Sequence, residues 1–170
     1  MSVFLFLDYE YKKTSLRTPE EALKHIHHPR VKIGEIIDTE KIENKHIAFV
    51  FFYTKIKYPK DYLGVATFRK YKNSWKFVRM DGVGNIISSN SNTLDTGIPL
   101  TDLGLNNRYY WIGFITKNIT NVKIGTHNAK IIPLNHKDLN IFVYFRQTST
   151  HNNIIRFLNI NGNEVSKGIF

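Results

Sequence analysis

The sequence predicts an α+β fold in two halves, a capped helix with a strand meander followed by a half built of strands alone. Three observations carry this. The stretch TSLRTPEEALKHIHH holds a complete helix start. The stretch from Ile47 to Asp81 is dense in β-branched and aromatic residues broken at turn-forming positions. From Tyr109 onward short strand signals recur at even spacing and no helical period appears.

Taken in order, MSVFLFL at Met1–Leu7 is apolar and runs directly into the charged DYEYKK. It is too short to span a bilayer, and two expectations stand for it: the tail of an anchor or signal region, or an edge strand over Val3–Tyr11. In the helix, Thr18 is the N-cap, Pro19 occupies the first turn where its missing N–H costs nothing, and Glu21 completes a capping box. Ala22, Leu23 and Ile26 form its apolar stripe and Pro29 stops it, giving about three turns. Val31, Ile33, Ile36 and Ile37 suggest a strand bent at Gly34, before a charged connection to His46.

The meander then offers three strands: Ile47–Thr54, Tyr62–Lys72 and Trp75–Met80, the last two joined at Asn73–Ser74. Two registers are open. A two-residue loop puts Phe68, Trp75 and Phe77 on one face with Lys70 and Lys72 near its rim. An odd loop puts Phe68, Val78 and Met80 on one face, and Arg69, Tyr71, Trp75, Phe77 and Arg79 on the other.

Residues 83–108, rich in Gly, Ser, Asn and Asp around SSNSN, are expected to be a linker or long loop between a first domain, 1–82, and a second, 109–170. In the second, YYWIGFI, TNVKIG, AKIIPL, NIFVYFR, NIIRFLNI and NEVSKGIF are the strand signals of a small antiparallel sandwich or barrel. Asn161–Gly162 is the expected tight hairpin between the last two.

The 170 residues are 42% hydrophobic and 14% aromatic, enough to bury a core. A formal charge of +10, from 24 Lys and Arg against 14 Asp and Glu, biases the surface toward anionic partners: nucleic acid, acidic lipid or an anionic polymer. The absence of Cys excludes disulfides, thiolate nucleophiles and Cys-ligated zinc.

Little else carries chemistry. His25 and His28 lie one turn apart near the helix end, but His there also suits the negative end of the helix dipole. His46, His127, His136 and His151 have no ligand spacing. No Ser sits in a nucleophile elbow, and Asp81–Asn85, DGVGN, lacks the third Gly of a phosphate cradle and reads as a turn. Glu35, Asp38, Glu40 and Glu43 read as a solvated connection. Asn118–Thr120 matches a glycosylation acceptor, a short pattern of low specificity. No catalytic residue, metal site or cofactor is therefore expected. The candidate ligand-binding set is Arg69, Lys70, Tyr71, Lys72, Trp75, Lys76 and Arg79, where cations hold anions and flat rings stack on bases or sugars. An ordinary sheet with aromatics inward and cations outward fits the same residues.

The capped TPEEAL helix, AFVFFYT and GVATFRKYKNSWKFVR together resemble the cystatin-like fold, a helix packed across a curved antiparallel sheet. With YYWIGFI, ITNVKIG and FLNINGNEV behind them, the chain also resembles uncharacterised exported or lipid-anchored proteins of low-GC Gram-positive bacteria. That resemblance implies a fold and an extracytoplasmic, envelope-associated location, with no activity to carry over. The apolar start, the two-part layout, the lack of a catalytic constellation and the positive charge add the expectation of a non-enzymatic binding module tethered at its N-terminus, whose partner is an anionic envelope polymer, a lipid surface or a protein. No lipobox Cys accompanies it. The alternative is a cytoplasmic nucleic-acid binder using the basic hairpin 68–79.

Overall fold

Thr18 lies in extended backbone and turns the chain into a helix with its side chain. Its hydroxyl accepts the Glu21 N–H at 3.1 Å, while the Glu21 carboxylate accepts the Thr18 N–H at 3.2 Å and the Arg17 N–H at 3.0 Å. The capping box opens helix α1, Pro19–Lys24, with His25 as its C-cap. The final bonds, His25 N–H to Ala22 and Ile26 N–H to Leu23, run three residues back, so the last turn tightens and the helix ends after six residues. This computed structural model describes residues 16–27, 31–42, 46–55, 59–85, 98–100, 109–135, 138–146 and 154–169. The N-terminal apolar stretch Met1–Leu7, Pro29 and the SSNSN segment lie outside them.

Strands β1 (Lys32–Ile42), β2 (Ile47–Lys55), β3 (Pro59–Tyr71) and β4 (Ser74–Asn85) form one antiparallel sheet in that spatial order. In β2, Ala48, Val50 and Phe52 face one way and Ile47, Phe49, Phe51 and Tyr53 the other, and all seven are buried. Burial on both faces is why this strand reads as an unbroken apolar run rather than an alternation. One face of the sheet joins Leu16, Ala22, Leu23 and Ile26 in a core with Ala66, Phe68 and Trp75. Strand β1 continues through DTEKI, where the sequence suggested a charged connection, and it is irregular between Ile33 and Asp38. The expected bend at Gly34 coincides with that irregularity: a Cβ there would stand 2.5 Å from the Tyr53 carbonyl oxygen.

The contacts of the chain divide into two units, Met1–Ile86 and Ile87–Phe170. The second holds two antiparallel sheets. One comprises β5 (Ile98–Leu100), β6 (Tyr109–Thr116), β10 (Leu139–Arg146) and β9 (Lys130–Pro133). The other comprises β12 (Glu164–Ile169), β11 (Ile154–Asn159), β7 (Ile119–Ile124) and β8 (His127–Asn128). Ile115 and Phe142 from the first and Ile119, Val122, Ile124, Ile155 and Phe157 from the second share one core, an arrangement compatible with a β-sandwich. The Phe142 and Phe157 rings meet edge to face, centroids 5.9 Å apart. Strand β5 falls inside the stretch expected to be linker, as does the end of β4.

Asn161–Gly162 does turn the chain, with Gly162 at φ +76°, but within a four-residue loop instead of a two-residue one. The Asn159 side chain accepts the N–H groups of Asn161 and Asn163, both at 3.0 Å, and so holds the wider loop.

The cystatin-like α+β expectation is corrected. Nearly all regular structure described is strand, in three antiparallel sheets, and α1 is the sole helix among the described residues. Six residues rise about 9 Å, whereas four strands stand about 14 Å across. The helix covers a patch of the sheet and cannot lie across it. Capping chemistry fixes where a helix starts; it does not fix how far it runs.

Candidate functional site

The site is built on the β3–β4 hairpin. Its tip is Lys72–Asn73, one residue earlier than the sequence suggested, with Tyr71 opposite Ser74 and Lys72 at φ +52°. Ser74 Oγ donates to the Tyr71 carbonyl at 3.3 Å across the tip. From there Lys70 pairs with Trp75, Arg69 with Lys76 and Phe68 with Phe77, but Thr67 pairs with Arg79. Val78 is therefore the extra residue of a β-bulge. The two-residue loop puts Phe68, Trp75 and Phe77 on one face, and the bulge then brings Met80 to the same face.

The candidate binding residues separate accordingly. Trp75 is buried in the core beneath α1, and its backbone N–H donates to the Leu16 carbonyl at 3.0 Å. Lys70 is on that side, with Nζ 5.9 Å from the centre of the Trp75 ring. On the opposite face Arg69, Tyr71 and Lys76 are brought together and exposed. Tyr71 is 57% exposed, with Lys76 Nζ 4.7 Å and Lys72 Nζ 5.8 Å from its ring centre. Arg79 shares that face, but its Nε is bonded to the Asp81 carboxylate at 2.6 Å. From Tyr62 to Gly82 there are five cations and one carboxylate, and that carboxylate is the one engaged by Arg79.

The comparisons with known proteins come to one result. No protein-family model, curated protein or solved structure matches this chain.

The other candidates remain apart. His25, His27, His46 and His127 are exposed, while His28, His136 and His151 lie outside the described residues. No group of three His, Asp or Glu side chains able to hold a metal occurs among the described residues. Glu35, Asp38 and Glu40 belong to β1, not to a loop, and Glu43 lies outside the described residues. Asp81–Asn85 is the end of β4 rather than a turn. Asn118 is exposed beside the β6–β7 turn and accepts from the Thr116 hydroxyl. No described helix is long and apolar enough to cross a membrane.

At the far end of the same hairpin lies a hollow that sequence reasoning missed. Gly64 pairs with Gly82 across β3 and β4, on the face that carries Phe52, Ala66 and Met80. A Cβ at Gly64 would stand 2.6 Å from Phe52 Cζ, so the Phe52 ring fills that space, but at Gly82 nothing lies within 4 Å. The result is a cavity of about 160 Å³ lined by Val31, Phe52, Thr54, Tyr62, Met80 and Asp81 beside the two glycines. Thr54 is buried, and its hydroxyl has no hydrogen-bond partner among the described residues. A signal was present in the sequence: Gly64 and Gly82 stand nearly symmetrically about the hairpin tip. The bulge at Val78, which brings them into register, was not.

Proposed function

We propose that this protein is a binding module for a phosphate-bearing polymer, engaged through the exposed face of the β3–β4 hairpin. The observation that carries it is the clustering of Arg69, Tyr71 and Lys76 on one exposed face, with Lys72 at the tip and the one carboxylate between Tyr62 and Gly82 taken up by Arg79. Cations spaced along a strand meet successive phosphates, and a ring 57% exposed offers a surface on which a base or sugar stacks. The net charge of +10 favours the encounter.

An anionic envelope polymer and a single-stranded nucleic acid both present such phosphates, and Tyr71 separates them. Titration of the full chain with a single-stranded oligonucleotide and with a polyphosphate of matched length is the test. If bases stack on Tyr71, Tyr71→Ala weakens oligonucleotide binding by about tenfold and leaves polyphosphate binding unchanged. Equal effects on both ligands favour the envelope polymer. Binding of neither ligand by the wild-type chain ends the proposal. Extracytoplasmic placement with an N-terminal tether belongs to the envelope alternative, and finding the native protein only in the cytosolic fraction would reject it.

A further inference from the structure

We propose that the hollow between Gly82 and Thr54 is a second binding site, for a neutral ring-sized ligand carrying one hydrogen-bonding group, of the phenol class. Size sets the first limit. Sites for drug-sized ligands are roughly 300–1,000 Å³, and a buried apolar cavity of roughly 150 Å³ is known to admit benzene. At about 160 Å³ this hollow seats one ring or a short chain. Its walls set the second limit. Phe52, Tyr62 and Met80 offer ring and thioether surface, and the one charged side chain among the described lining residues, Asp81, is already paired with Arg79, so the ligand is largely apolar and uncharged.

Thr54 sets the third limit. It is 4% exposed, lines the hollow opposite Tyr62 in the β2–β3 ladder, and its hydroxyl has no partner among the described residues. A buried hydroxyl is rarely left unpaired, and a ligand hydroxyl would complete it. The way in is beside Gly82, which is exposed and has no side chain to close the space. This site lies on the opposite face of the hairpin from Arg69, Tyr71 and Lys76, so it stands or falls separately from polymer binding.

The test is titration of the full chain with phenol and with benzene, followed through backbone amide resonances. Saturable shifts centred on Thr54, Gly64 and Gly82 are expected, with phenol about fivefold tighter than benzene, as one neutral hydrogen bond confers. Thr54→Val should erase that preference and leave benzene binding intact. Gly82→Leu should abolish both while retaining the wild-type melting transition, because a Cβ there meets nothing and the backbone is not left-handed. Absence of saturable shifts at these amides, equal affinity for the two rings in the wild type, or unchanged binding in a folded Gly82→Leu chain would each overturn the proposal.

Discussion

Tyr71 and Trp75 stand four residues apart on one hairpin and have opposite fates. Trp75 is 7% exposed beneath α1 and Tyr71 is 57% exposed beside two lysines. Trp75→Ala should therefore cost about 3–5 kcal/mol in chemical denaturation, the usual range for a large buried aromatic. Tyr71→Ala should stay within about 0.5 kcal/mol of wild type in the same experiment, and its effect should appear in binding alone. Thr18→Ala removes the helix cap and should cost about 1 kcal/mol. Glu20 gives a pH signature. Burial would raise its carboxyl, but hydrogen bonds from the Thr39 side chain, its own backbone and Thr18, with the charge of Lys41, hold it below its ordinary value of 4.5. A carboxyl lowered in the folded state stabilises fully above its unfolded pKa, and that contribution is lost as pH falls through the folded one. Glu20→Gln should thus lower stability near neutral pH and make stability less steep with pH below about 4.5. Thermal melts from pH 7 to pH 3 check this, and identical slopes for the two proteins would refute it.

At the scale of the element, the hairpin face depends on one unpaired residue. Val78 is extra on β4, so Phe77 and Met80 share a face although three positions separate them. Deleting Val78 should regularise the ladder without moving any neighbour to the wrong face, and the variant should fold. Deleting Lys76 instead makes Trp75 and Phe77 adjacent and sends one of them outward, which should abolish the cooperative transition. Circular dichroism melts of the two deletions distinguish them.

This element also shows what was legible. The cap at Thr18–Glu21 was read correctly because it is local, four residues whose side chains bond their own backbone. The strands of the second unit were read from composition and turn residues. The Val78 bulge could not be read, because it is a property of two strands and leaves no mark in one. The helix was expected to run to Pro29 because apolar spacing continues to Ile26, yet the tightened last turn ends it at Lys24 while Ile26 still reaches the core.

For the molecule as a whole, excess positive charge is spread across both units, so net charge by itself does not select a surface. The hairpin does, since its exposed face sets Lys76 and the tip Lys72 against one ring with Arg69 beside them, and the one carboxylate between Tyr62 and Gly82 is engaged by Arg79. Counterion release makes this choice measurable: each phosphate contacted on a single strand adds about 0.7 to the slope of log affinity against log salt. The direct measurement is oligonucleotide affinity over a salt series for the wild type and for Arg69→Ala/Lys72→Ala/Lys76→Ala. The wild type should show a slope near −2 or steeper, and the triple variant should lose most of it while melting like the parent. A triple variant that folds and keeps the wild-type slope would contradict the assignment of the hairpin as the binding face.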